Sequence, residues 1–187
     1  MTRRRILLAL LWLVLSPLSH AAPAVRTFES DSLAHIESAH RGKPFVVVLW
    51  SLDCVYCQPG FAALAKAKRQ HGVDVVMVAT DRIDQGDNAR MIAKKLEAPA
   101  LRANAWAFGA APPEQLRYAI DPKWHGETPR SYWYDATGAR TARSGMITPQ
   151  LISEFLRRNC ITRPAARRSS AAGRLNAHAK KIPNRFS

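Results

Sequence analysis

Two cysteines separated by two residues, Cys54-Val55-Tyr56-Cys57, carry the clearest chemistry in the chain. On a helix, residues i and i+3 share a face, so these two sulfurs can bond to each other. A cysteine at a helix N-terminus also meets unpaired amides and the positive end of the macrodipole, which favour its thiolate. The second thiol is then placed to attack a mixed disulfide formed on the first. This spacing suits a thiol–disulfide exchange site.

Other uses of the pair fit less well. A c-type haem needs His directly after the second Cys, and Gln58 stands there. A structural zinc site needs four ligands, and neither a second Cys pair nor a close His pair is present. An iron–sulfur site fails for the same reason. A purely structural disulfide stays open, although closing so short a loop gains little chain entropy. The expected metal set is therefore none, and the expected cofactor none beyond a redox-active Cys54–Cys57 disulfide.

The surrounding pattern supplies elements to hold the pair. Phe45 to Trp50 is a continuous apolar run with three valines, as expected of a strand buried on both faces. A helix follows to about His71, stopped by Gly72. Val73 to Ala79 reads as a second buried strand. Val25 to Phe28 and Ala103 to Phe108 read as short strands. Helices are expected from Asp31 to near His40, over Asn88–Leu96 and over Pro113–Ile120. Ser131 to Tyr134 and Arg140 to Ser144 flank a hairpin turn at Asp135-Ala136-Thr137-Gly138. Thr148 caps a last helix running to about Arg158. Strands alternating with helices, then a hairpin and a helix, imply an α/β sheet of mixed direction.

With these elements in place, the chain resembles the thioredoxin superfamily over roughly residues 25–158. Trp50 matches the family's Trp four residues before the nucleophile, at the end of a central strand. Thr128-Pro129 matches its cis-proline, and Asp135 to Gly138 the hairpin turn that follows. The stretch from about Ala98 to Gly126 is similar to the central insertion of exported TlpA-like thiol–disulfide oxidoreductases. The Cys-Val-Tyr-Cys motif also resembles that of exported disulfide isomerases, whose dimerisation domain has no counterpart here. The resemblance implies a three-layer thioredoxin-like fold with a strand–helix insertion. It implies Cys54 and Cys57 as the catalytic pair. It implies Trp50, Val55, Tyr56, Thr128 and Pro129 as substrate-contacting residues, with Thr128 leaving its backbone free to pair with a substrate strand.

Three departures from the family pattern are visible. Asp53 replaces a second Trp, and an acid beside a thiolate opposes the helix terminus in setting its charge. Val48 replaces a buried acid six residues before the nucleophile. Pro59-Gly60 follows the pair at once, with Ala62 in place of a later proline, so a kink is expected near the site.

Candidates outside the motif are weaker. His125 is expected to be a surface histidine rather than a proton carrier. Of Trp106, Trp124 and Trp133, at least one is expected in the core rather than in a peptide groove. Asp81, Asp84 and Asp87 lack the alternate spacing of a calcium loop and read as solvation and capping. Cys160 has no partner within the chain once Cys54 and Cys57 are joined, which leaves a buried thiol, a free thiol or a pairing between chains.

The 187 residues carry a formal charge of +14, which by itself suggests nucleic acid or an anionic membrane. Most of that excess sits at the ends. Residues 1–22 contribute +3 and residues 161–187 contribute +7, both without an acid, leaving +4 on residues 23–160. Arg3 to Arg5, the apolar run Ile6–Leu15 and small residues around Ala21 describe a secretory signal peptide, cleaved after Ala21 or Ala24. Export places the cysteines in an oxidising compartment, the periplasm in a Gram-negative cell. Residues 161–187 read as a basic, disordered tail, either simply solvated or in weak contact with anionic membrane.

The expected function is an exported thiol–disulfide oxidoreductase exchanging disulfides with protein substrates and a redox partner. Nucleic acid is not among the expected partners. Motif spacing does not set the direction of electron flow; reduction of the partner is the favoured direction. The alternative is a non-catalytic binding or metal-chaperone module of the same fold.

Overall fold

The computed structural model describes residues 25–96 and 98–160, so the expected leader, 1–22, and tail, 161–187, lie outside the described residues. Six strands form one sheet in the order β1-β4-β3-β2-β5-β6. These are β1 (Arg26–Phe28), β2 (Phe45–Trp50), β3 (Asp74–Arg82), β4 (Ala105–Phe108), β5 (Arg130–Tyr134) and β6 (Arg140–Ser144). The first four pair in parallel, whereas β5 pairs antiparallel with both β2 and β6. The helices are α1 (Ser32–Ala39), α2 (Gln58–His71), α3 (Asn88–Lys95), α4 (Pro99–Arg102), α5 (Pro113–Ile120) and α6 (Pro149–Cys160).

Strand β2 lies at the centre because all six of its residues are apolar and buried. Its side chains alternate between two cores, as the pleat requires. Val46, Val48 and Trp50 enter one core with Phe61 and Leu64 of α2, Ile92 of α3, Leu101 of α4 and Phe155 of α6. Phe45, Val47 and Leu49 enter the other with Leu33 and Ile36 of α1 and Leu116 and Ile120 of α5. The result is three layers, helices on both faces of a mixed sheet, as the thioredoxin-like reading requires.

The insertion joins the sheet rather than sitting outside it. Strand β4 pairs with β3 on one side and β1 on the other. Strand β3 runs three residues past the expected end at Ala79, with a register shift between Ala79 and Arg82. That shift carries Asp81 to the end of the sheet where β2 also finishes.

Candidate active site

Strand β2 ends at Trp50, and residues 51–57 form the loop that leads into α2. Ser51 C=O accepts the N–H of Cys54 at 3.2 Å, and Cys54 C=O accepts that of Cys57 at 3.2 Å. Cys54 therefore lies in a tight turn, and Cys57 caps the helix that begins at Gln58. This corrects the expectation that Cys54 itself opens the helix. Pro59 is the reason: it has no N–H to offer Val55 C=O, and its ring is tolerated only in a first turn. The same placement replaces the expected kink, since the proline starts the helix.

Cys54 and Cys57 are joined by a disulfide. The two sulfurs differ in access. Cys57 is 2% exposed and belongs to the core behind α2, whereas Cys54 is half-buried at the surface. An incoming thiolate or disulfide can reach only the first of them. Val55 and Tyr56 between them are 73% and 63% exposed, unusual for apolar side chains of that size.

The pairing of β2 with β5 brings the proline loop to the cysteines. Leu49 pairs with Arg130, so the register continues with Trp50 level with Pro129 and Ser51 level with Thr128. Ser51 Oγ and Thr128 Oγ1 are 3.5 Å apart, and the Thr128–Pro129 bond is cis. Pro129 is buried and Thr128 half-buried. The expected contact of Trp50 with substrate is corrected: at 1% exposure it packs edge-on against Phe61, with ring centroids 5.2 Å apart. Its alternation on β2 turns it into the core beneath the disulfide.

The proline loop is held from several sides. Trp124 Nε1–H donates to Glu127 C=O at 2.9 Å. The Glu127 carboxylate accepts from Ser144 Oγ at 2.6 Å and from Arg130 Nη1 at 3.2 Å. Arg130 Nη2 donates to Asp121 Oδ2 at 3.1 Å, which also accepts from Tyr132 Oη at 3.1 Å. Gly145 N–H donates to Pro129 C=O at 2.9 Å. Burial acts to raise the Asp121 carboxyl, but the Lys123 amide, Tyr132 and Arg130 outweigh it and hold the group below its usual range. Glu127 is lowered likewise, burial being outweighed by the Ser144 bond, backbone amides and Arg130.

Segment 145–147 then connects this loop to the cysteine helix. A Cβ on Gly60, in the first turn of α2, would lie 3.0 Å from Ile147 Cβ and 3.1 Å from its carbonyl oxygen. A side chain there would require Ile147 to give by a few tenths of an ångström. Met146 next to it is 54% exposed.

On the other side of the cysteine loop stands Asp81. Its Oδ2 accepts the Leu52 N–H at 2.8 Å. Burial raises its carboxyl above the usual range, the Leu52 amide opposes this, and the Asp53 charge adds to it. Sequence reasoning read Asp81 as loop solvation. The signal that could have found it is its distance of two residues past a buried strand, at the end of the sheet where α/β sites gather. Asp84 and Asp87 pair with Arg82 and Arg90, as a solvation and capping reading allows. Trp124 and Trp133 are buried, and His125 is exposed. Among the described residues no group of three or more His, Cys, Asp or Glu could hold a metal ion.

No protein-family model matches the chain, and no curated protein matches it. Several solved structures are similar. A thioredoxin-related protein from Neisseria meningitidis serogroup B aligns at 17% identity, TM-score 0.49, over 63% of this chain and 85% of its own. A secreted disulfide oxidoreductase of Mycobacterium tuberculosis aligns at 18% and 0.47, over 65% and 85%. A thiol:disulfide interchange protein from Chlorobium tepidum aligns at 19% and 0.47, over 66% and 83%. The fold itself rests on this chain's own strand order and layers. A mixed sheet ordered β1-β4-β3-β2-β5-β6 between two helical layers, with a Cys54–Cys57 disulfide at the end of its central strand, is a thioredoxin-like fold.

Proposed function

We propose that the protein is an exported thiol–disulfide oxidoreductase acting on protein substrates. One observation carries the reading: a disulfide whose first sulfur is half-exposed and whose second is buried, at the end of a central strand and level with a proline loop. In such a site a substrate thiolate attacks Cys54 Sγ, and the electron pair of the broken bond leaves on Cys57 Sγ. In the reverse sense Cys54 attacks a substrate disulfide and Cys57 resolves the mixed disulfide. Burial keeps Cys57 from outside nucleophiles while leaving it within bonding range of Cys54.

The substrate strand would lie along Thr128, whose backbone precedes a residue without an N–H, with Val55 and Tyr56 as apolar contacts beside Cys54. Reduction of the partner is the favoured direction, and the leader at residues 1–22 supports export to an oxidising compartment. The basic tail is a candidate for weak contact with anionic lipid.

The test is a Cys57→Ser variant expressed in an exporting host. Mixed disulfides on Cys54 should accumulate with protein partners outside the cytoplasm, and their identity reports both substrate and direction. Absence of any trapped partner, together with wild-type cysteines that fail to cycle in vitro, overturns the reading.

A further inference from the structure

A groove runs beside the cysteine loop, lined by Leu52, Asp53, Gln58, Asp81, Met91 and, on α3, Lys94 and Lys95. Asp53 and Gln58 are the chain neighbours of Cys54 and Cys57, so the groove is lined by residues directly bonded to the cysteine pair. Its charges are sorted. The loop and β3 side carries the two carboxylates, and α3 carries the two ammonium groups. Lys94 and Lys95 are exposed and make no ion pair with a described residue. Asp81 accepts from backbone amides, Leu52 N–H at 2.8 Å among them, and makes no ion pair with either lysine. The opposite charges therefore face one groove without neutralising each other directly. Between them Leu52 and Met91 offer apolar contact, Met91 being 42% exposed.

A ligand that answers both sides carries a cation and an anion, with apolar surface for Leu52 and Met91. An amino-acid thiol has this form: an α-ammonium for the carboxylates, a carboxylate for the lysines, and a thiol that reaches the neighbouring sulfur. We infer that, given the thiol–disulfide chemistry proposed above, this groove binds low-molecular-weight thiols with a free α-amino and carboxylate group, cysteine being the simplest.

The step balances without an outside oxidant. One thiolate, RS⁻, attacks Cys54 Sγ, and the Cys54–Cys57 bond breaks with its electron pair on Cys57 Sγ, which takes up a proton. A second RS⁻ attacks the ligand sulfur of the mixed disulfide, releasing Cys54 as thiolate and forming RS–SR. Two thiols are oxidised, the protein disulfide is reduced, and the two thiol protons end on the two cysteines or in water. The reverse runs with cystine and the reduced protein.

The test uses the full oxidised chain. Rates of its reduction by L-cysteine, by cysteamine, which lacks the carboxylate, and by 2-mercaptoethanol, which lacks both charges, are each divided by that thiol's rate with bis(2-hydroxyethyl) disulfide. This removes differences in intrinsic nucleophilicity. Cysteine should then exceed both others by about tenfold, as two partly screened charge contacts allow. In a Lys94→Gln/Lys95→Gln variant the cysteine-to-cysteamine ratio should fall to about one to three on the same scale. The ratio cancels a uniform change in reactivity, and a thermal melt matching the wild type shows that the variant keeps its fold. Equal normalised rates, or a preference that survives the double substitution, overturn the inference while leaving the redox function standing. Failure of all three thiols to open the disulfide overturns both.

Discussion

Asp81 Oδ2 accepts the backbone N–H of Leu52 at 2.8 Å, tying the end of β3 to the loop that presents Cys54 two residues later. The bond joins a half-buried carboxyl to a segment that must stay in place while its disulfide opens and closes. Burial opposes the charge on Asp81 and the amide supports it, and the net effect raises the carboxyl above its usual range.

A raised carboxyl binds its proton more tightly in the folded state, so its ionisation costs stability as pH rises from the unfolded value of 3.8 through the folded value, and the cost is constant above. Asp81→Asn keeps an oxygen to accept the Leu52 N–H and removes that cost. The variant should melt at or above the wild-type temperature at pH 7, with its advantage shrinking as pH falls through the carboxylate range. Thermal melts across pH check this; a variant clearly less stable at pH 7 contradicts it.

Asp121 and Glu127 titrate in the opposite sense. Their folded values are lowered, so they add stability above the unfolded values of 3.8 and 4.5 that is lost as pH falls through the folded ones. Arg130 serves both, and it and Asp121 are 14% and 12% exposed. Arg130→Met leaves Asp121 in a mostly buried place without its ion partner, so a loss of about 3 kcal/mol is expected at pH 7. Denaturant unfolding measures it, and the loss should shrink when repeated near pH 3.

These networks mark how far the sequence could be read. The run Phe45–Trp50 announced a central strand because six apolar residues in a row have nowhere to go but a two-faced interior. The pair after it announced redox chemistry. The extension of β3 through Thr80-Asp81-Arg82 was hidden, because polar residues at a sheet end look like a loop. So was the contact of Asp81, whose partner is a backbone amide 29 residues earlier that leaves no mark in side-chain pattern. Helix α4, four residues long, is too short to show a period. Trp50 was assigned a substrate contact by resemblance, although it belongs to the same apolar run that reads as buried on both faces.

Gly60 offers a packing test. Alanine there would press on Ile147 Cβ and, at 3.1 Å, on a backbone oxygen that cannot swing aside. A loss of about 1–3 kcal/mol is expected, as for other overpacked contacts. Chemical denaturation reads it directly. An unchanged midpoint would mean that segment 145–147 yields freely and does not brace the proline loop against α2.

Asp53, exposed and adjacent to Cys54, should slow thiolate formation on the reduced protein. Asp53→Asn is expected to speed alkylation of Cys54 near neutral pH by about two- to fivefold, the range allowed to one nearby charge in water. Mass-resolved alkylation kinetics check it, and a slower variant contradicts it.

The most direct measurement on the central claim is redox cycling of the purified protein. Reduced protein mixed with a model protein disulfide should return to the Cys54–Cys57 disulfide while freeing two substrate thiols. Cys54→Ser should abolish the reaction, and Cys57→Ser should stop it at a mixed disulfide on Cys54. Thiols that do not exchange with any disulfide, or exchange that persists in Cys54→Ser, would contradict the account.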